Sequence, residues 1–98
     1  VARVMDAEGA HLAAVLRAAD FHEQRVLEVG SGDGRLTWGF APLAASVLAF
    51  DPVEDDVVFA RAECAEDLRE KIHFVVAHAE EIDIPRHSVD LVFFSWSL

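Results

Sequence analysis

The residues best suited to chemistry lie in Glu28-Val29-Gly30-Ser31-Gly32-Asp33-Gly34, an acid two places ahead of three glycines at alternate positions. Glycine permits backbone angles that a side chain forbids, and it lets main-chain N–H and C=O groups approach a ligand with no Cβ between them. Such a loop seats a small molecule. Further along, Asp51-Pro52 closes a second apolar run, 21 residues after Gly30. A carboxylate there can accept from two vicinal hydroxyls, and charge-assisted bonds of that kind are worth about 1.5–3 kcal/mol each. Asp51 could instead cap a helix that follows it.

The spacing narrows the ligand. A dinucleotide fingerprint needs a third small residue at the position held here by Arg35, and no Gly-Lys-Ser/Thr follows to make a phosphate-cradling loop. The loop therefore suits a nucleoside ligand without a pyrophosphate.

The elements that must position these residues are read from apolar periodicity. Residues 6–19 are expected to be helical, with Leu12, Val15, Leu16 and Ala19 on one side. Arg25–Val29 is a short buried strand. From Gly34 to Ala44 a helix is expected to turn Leu36, Phe40 and Leu43 inward, with Trp38 on the opposite side and in need of cover. Ser46–Phe50 forms the next strand, halted at Pro52, where ladder pairing cannot continue. A helix from Asp55 to Arg69 follows, with Val58, Ala62, Ala65 and Leu68 as its inward stripe. Ile72–Val76 is a strand, Ala79–Ile82 a turn, Pro85–Ser88 a loop, and Val89–Ser95 a last strand. Strands alternating with helices imply right-handed crossovers and a doubly wound parallel α/β sheet. In such a sheet the site lies outside the carboxyl ends of the strands, where strand order reverses. Gly30–Gly34, Asp51, the Ala77–Glu80 turn and Ser95-Trp96 are expected to converge there.

Composition bounds the possible functions. With 98 residues, 53% of them hydrophobic, the chain holds one domain and material for a core. The apolar runs fall short of the about 20 residues needed to span a bilayer, and the N-terminal residues lack a signal-peptide pattern, so a cytoplasmic location is expected. The single cysteine, Cys64, forms no intrachain disulfide or cysteine-cluster metal site, and the histidines show no ligand spacing; no metal is expected. The formal charge is −10, and Asp51–Glu70 holds eight acids against Arg61 and Arg69. That face repels phosphate backbones, which argues against nucleic acid or an anionic membrane as a partner.

Four segments in order resemble the class I S-adenosylmethionine-dependent methyltransferases, particularly the type 11 kind, over residues 25–98. Glu28-Val29-Gly30-Ser31-Gly32-Asp33-Gly34 is similar to that family's first motif, and Asp51 to the acid that takes both ribose hydroxyls. Ala77-His78-Ala79-Glu80-Glu81-Ile82 occupies the place of the adenine-edge segment, and Val89–Leu98 looks like the fourth strand. The resemblance implies a Rossmann-like three-layer fold, seen through its N-terminal part and truncated after that strand. It implies S-adenosylmethionine as cofactor and methyl transfer to a small-molecule acceptor. Glu28, Gly30, Ser31, Gly32, Gly34, Asp51, Pro52, His78, Ala79 and Ser95 are the cofactor-binding residues it implies. His78 departs from the family's usual Asp or Asn, although a neutral imidazole nitrogen can accept from an adenine amino group. No catalytic base is nominated. A nicotinamide- or nucleotide-binding Rossmann domain and a non-catalytic cofactor-binding or interaction module remain as alternatives. The final strand is expected to expose an edge and an uncovered face.

Overall fold

Runs rich in valine, leucine and phenylalanine, bounded by turns, make the strands of the computed structural model, which describes residues 3–6, 15–17, 20–83 and 88–95. They are β1 (Arg3–Asp6), β2 (Arg25–Val29), β3 (Ser46–Asp51), β4 (Ile72–Val76) and β5 (Leu91–Phe94). The sheet order is β1-β5-β2-β3-β4, and every pairing is parallel. A doubly wound α/β architecture is therefore observed, as the alternation of elements implies.

Successive side chains of each strand point to opposite faces. Val26, Val47, Ala49, Ile72, Phe74, Leu91 and Phe93 share one face and pack with Phe21, Phe40, Val57 and Ala60 in the larger core cluster. At its centre Phe21 stacks on Phe40 with ring centroids 4.5 Å apart, and Phe93 meets the two edge-on at 5.5 and 5.3 Å. The described helices, α1 (Thr37–Phe40) and α2 (Glu54–Glu63), lie on this face. The other face buries Leu27, Val29 and Phe50, with Leu48, Val75, Val92 and Phe94 half-buried around them.

α2 turns a different side inward from the one expected, and α1 does so in part, with Phe40 buried and Leu36 packed against the core as expected. In α1 and the turn after it, Thr37, Phe40, Ala41 and Ala44 are buried, while Leu43 is 45% exposed. The regular helix is shorter than Gly34–Ala44, although turn bonds carry the coil on to Ala44, whose N–H reaches the Phe40 and Ala41 carbonyls. Trp38 is half-buried and finds its cover within the chain, edge-on to Phe74 at 5.4 Å. In α2 the buried stripe is Val57, Ala60 and Cys64, while Val58 is 53% exposed and Ala62 and Ala65 face solvent. The helix also ends early: the backbone leaves it at Cys64 with ψ 125°, so Leu68 packs against the core as expected but from a separate 3-10 turn, Glu66–Leu68.

Arg3–Asp6 is a strand rather than the approach to a helix. Arg3 ties it down by donating from Nη2 to the Asp20 carbonyl at 2.8 Å and to Gln24 Oε1 at 3.0 Å. Of the helix expected over 6–19, residues 15–17 are helical and Asp6 ends β1; the rest lies outside the described residues. Because β1 pairs with β5, the last strand is flanked on both sides and the sheet edges are β1 and β4, which corrects the expected free edge. On β4 the Phe74 carbonyl turns away from β3, and Arg61 of α2 donates to it from Nε at 3.0 Å and from Nη2 at 2.5 Å. Of the Pro85–Ser88 loop, residues 85–87 lie outside the described residues. Among the described residues no helix is long and apolar enough to cross a membrane.

Candidate functional site

β2, β3 and β5 end level with one another, Val29 standing opposite Phe50 on one side and Phe94 on the other. The chain leaves β2 for β3 and β4 on one flank and returns to β5 on the other, so the order reverses at β2. A crevice at such a point is where open α/β sheets hold ligands.

Past β2 the glycine loop is pinned to β3: the Gly30 and Ser31 N–H groups donate to the Phe50 carbonyl at 2.9 and 3.1 Å. Gly30, Gly32 and Gly34 have φ of +76°, +57° and +90°, a region that L side chains rarely adopt. Gly34 has a second reason to lack a side chain, since a Cβ there would lie 2.8 Å from the Trp38 indole. It makes room for packing, while the first two glycines shape the loop beside the strand ends.

Asp51 is buried at the end of β3, and both its oxygens are engaged. Oδ2 accepts from the Gly32 N–H and Oδ1 from the Val53 N–H, each at 2.9 Å. One side chain thus ties the glycine loop to the turn at Val53 ahead of α2, and each oxygen keeps a lone pair for a further donor. Val53 is the N-cap of α2 and the helix carries no side-chain cap bond, so Asp51 is not its cap.

Glu28 is fully buried. Its Oε1 accepts from the Thr37 hydroxyl at 2.5 Å, and its Oε2 has no partner among the described residues. Burial pushes the Glu28 carboxyl up from 4.5 to about 7; the Thr37 and Ser95 hydroxyls oppose the rise, and the Asp51 charge adds to it. A hydroxyl has one proton, and the geometry gives that of Ser95 to the Gly30 carbonyl at 3.0 Å, which leaves Thr37 as the donor bonded to Glu28. Ser31, also buried, has a hydroxyl without a partner among the described residues. Native interiors seldom leave such atoms unpaired, so the two mark a place prepared for polar groups from outside the chain.

The remaining segments close on the same point. Ser95 donates its N–H to the Val29 carbonyl at 3.0 Å, and Ala77 donates to the Asp51 carbonyl at 3.1 Å. His78 and Ala79 are exposed at the start of the 3-10 turn Ala79–Glu81, where the His78 N–H donates to Glu81 Oε1 at 2.7 Å. Pro52 is exposed beside Asp51. The strand ends therefore gather Glu28, Gly30, Ser31, Gly32, Gly34, Asp51, Pro52 and Ser95, with the turn holding His78 and Ala79 hung from Asp51; Trp96 lies outside the described residues. Thr37 was not foreseen as a site residue. Its signal was a hydroxyl in the first turn after the loop, nine residues beyond a buried-strand acid. Arg35, which departs from the dinucleotide pattern, is exposed and paired with Asp33 at 3.2 Å. Among the described residues no group of three or more His, Cys, Asp or Glu side chains could hold a metal ion.

Known proteins share this chain's sequence pattern and fold. A family model described as a methyltransferase domain matches residues 26–98. Phosphoethanolamine N-methyltransferase 1 of Triticum aestivum is 39% identical over 75 residues, covering 74% of this chain and 15% of its own. The methyltransferase YcgJ of Bacillus subtilis is 29% identical over 87 residues, covering 88% of this chain and 34% of its own. The chain thus spans about a third or less of the length of these curated relatives. The crystal structure of YcgJ superimposes with a TM-score of 0.75 at 26% identity, over 85% of this chain and 36% of that one. Phosphoethanolamine N-methyltransferase 1 of Haemonchus contortus, solved with phosphoethanolamine and S-adenosylhomocysteine, gives a TM-score of 0.75 at 26% identity, over 85% of this chain and 18% of its own. With most of its length matched by the family model and its strand-end loop built as described, the chain belongs to the methyltransferase domain family.

Proposed function

We propose that the protein binds S-adenosylmethionine at the carboxyl ends of β2, β3 and β5 and serves transfer of its methyl group to a small-molecule acceptor. The observation that carries this reading is the convergence, at one reversal of strand order, of the left-handed glycine loop, the engaged Asp51 carboxylate and two buried polar atoms without partners. The phosphoethanolamine methyltransferases among the relatives, one of them holding S-adenosylhomocysteine, support it.

The residues fit that cofactor by chemistry. Asp51 keeps lone pairs for two ribose hydroxyls and is held against rotation by its two backbone donors. Gly30 and Gly32 bring main chain close to the amino-acid part, whose ammonium would meet Glu28 Oε2 and Ser31 Oγ. His78 and the Ala79 N–H stand where an adenine edge would pass, beside Ser95. The sulfonium of the cofactor supplies the activated methyl group. What the protein adds is alignment of an incoming nucleophile with that group, and orientation of this kind can supply about 7–11 kcal/mol of a barrier. A small-molecule acceptor rather than nucleic acid agrees with the acidic face between Asp51 and Glu70. A cytoplasmic location belongs to the same reading, through the acidic composition and lone cysteine.

Calorimetric titration of the chain with S-adenosylmethionine, and separately with NAD, tests the reading. Saturable binding of the first alone, weakened in Asp51→Ala, is expected. Binding of NAD instead would return the loop to a dehydrogenase role.

A further inference from the structure

Glu28 is placed for more than holding a loop. Its carboxyl lies fully inside the protein, with Oε1 taken by Thr37 and Oε2 facing no partner among the described residues. The groups around it are few. Thr37 comes from α1 and Ser95 from beyond β5, both neutral hydroxyls, and Asp51 at the end of β3 is the titratable neighbour, of the same sign. No described cation reaches it: Arg25 is bound to Asp90 at the opposite end of β2, and Arg35 to Asp33 on the surface. An ionised carboxylate so placed is poorly solvated, repelled by Asp51 and only half hydrogen-bonded, so these surroundings favour the neutral acid more than water does.

A cation brought against Oε2 reverses that balance. We infer that Glu28 gives up its proton when a cationic cofactor seats beside it, so that cofactor binding is coupled to proton release. The inference rests on the proposed function, because the cation is the ammonium of S-adenosylmethionine. The proton leaves the Glu28 carboxyl for solvent, the O–H bond breaks, and the ammonium keeps its own protons while donating to the new carboxylate. Ser95 can assist, since rotation of its hydroxyl from the Gly30 carbonyl would give the anion a second donor. The chain would then use a buried acid as a gate for charge: a neutral analogue lacking the ammonium finds a protonated, uncharged wall, whereas the cation makes its own counter-ion.

The test is calorimetric titration of the whole chain with S-adenosylmethionine in phosphate and in Tris, buffers of very different ionisation enthalpy, at pH 6, 7 and 8, beside Glu28→Gln. The free ligand's ammonium titrates alike against either protein, and because Glu28 also holds it in the complex, the proton count is compared at pH 6, where the ligand binds already as the ammonium. Near pH 7 the ligand-free Glu28 holds about half a proton, so the wild type is expected to release about half a proton more per cofactor than Glu28→Gln, rising toward one at pH 6. The ratio of their affinities should rise about tenfold from pH 6 to pH 8. Thr37→Val retains Glu28 but removes the donor to its ionised form, so it should move the proton release to higher pH; it also serves if Glu28→Gln fails to fold. Saturable binding with identical proton exchange in wild type and Glu28→Gln, or an unmoved profile in Thr37→Val, would overturn the inference and leave the cofactor assignment standing. A wild type that binds no S-adenosylmethionine would take down both.

Discussion

The ends of β2 and β3 each carry a buried acid, one strand apart, and the chain surrounds the two in opposite ways. Asp51 is met by two backbone N–H groups whose positions are fixed by the glycine loop and by the turn at Val53 ahead of α2. Glu28 meets one hydroxyl and keeps an oxygen without a partner. Depth does not separate them, since both are nearly or wholly inaccessible. The donors do. Backbone amides are donors that the fold holds in place, whereas a rotatable hydroxyl can serve either the acid or its anion. A strand-end carboxylate can therefore be a fixed anchor or a responsive group, according to whether main chain or side chain faces it.

Removing the anchor should have the largest effect. Asp51→Ala takes away the acceptor for two ligand hydroxyls and orphans the Gly32 and Val53 N–H groups. With charge-assisted bonds at about 1.5–3 kcal/mol each, affinity for S-adenosylmethionine should fall by about a hundredfold or more in calorimetry. An unchanged affinity would erase the distinction between the two strand ends.

Next in size is the pH dependence that Glu28 gives to folding. Its folded value, about 7, lies above the unfolded 4.5, so the native state holds the proton more tightly. Stability is then full below pH 4.5 as far as this group is concerned and is lost as pH rises through 7, by about 3 kcal/mol in all. Urea denaturation of the ligand-free chain at pH 5 and pH 8 should show that loss, and Glu28→Gln should flatten it. A stability that rises over this window would mean that Glu28 is ionised in the fold.

Asp51→Asn sharpens the comparison more gently. It removes the neighbouring charge while keeping one carbonyl acceptor, so the Glu28 carboxyl, followed by carbon NMR, should titrate at a lower pH than in wild type. The smallest effect is expected from Asp90→Asn, at the solvent end of the strands. Asp90 takes three bonds from Arg25, and these hold its carboxyl down at about 2. Its contribution is present above the ordinary carboxyl range and lost as pH falls from 3.8 through 2, so thermal melting of the variant should lie slightly below wild type at neutral pH and converge with it in acid.

The acids themselves were legible in the sequence, and their environments were not. Gly30, Gly32 and Gly34 announced a turn between strand and helix, and Pro52 marked the end of β3, so the convergence of loop, Asp51 and the Ala77 turn followed from strand alternation. Nothing in the spacing could show that Asp51 engages both oxygens with amides, because those bonds join Gly32 and Val53 through tertiary placement. Thr37 went unnoticed because a threonine early in a helix has ordinary local uses. The missed phase of α2 has a similar cause: Val57 and Ala60 are no more apolar than Val58 and Ala62, so residue type alone could not choose between the two stripes. β1, four residues with Arg3 and Asp6 at its ends, has too little alternation to declare itself.

Arg61 has a consequence for life in a crowded cell. By donating twice to the outward carbonyl of Phe74, it places a guanidinium across the rim of β4, where a strand from another molecule would otherwise find a free acceptor. An intruder would have to expel a charged, doubly bonded side chain before adding itself to the sheet. A helix residue thereby covers an acceptor on a valine- and phenylalanine-bearing edge strand, the kind of edge that invites pairing between molecules.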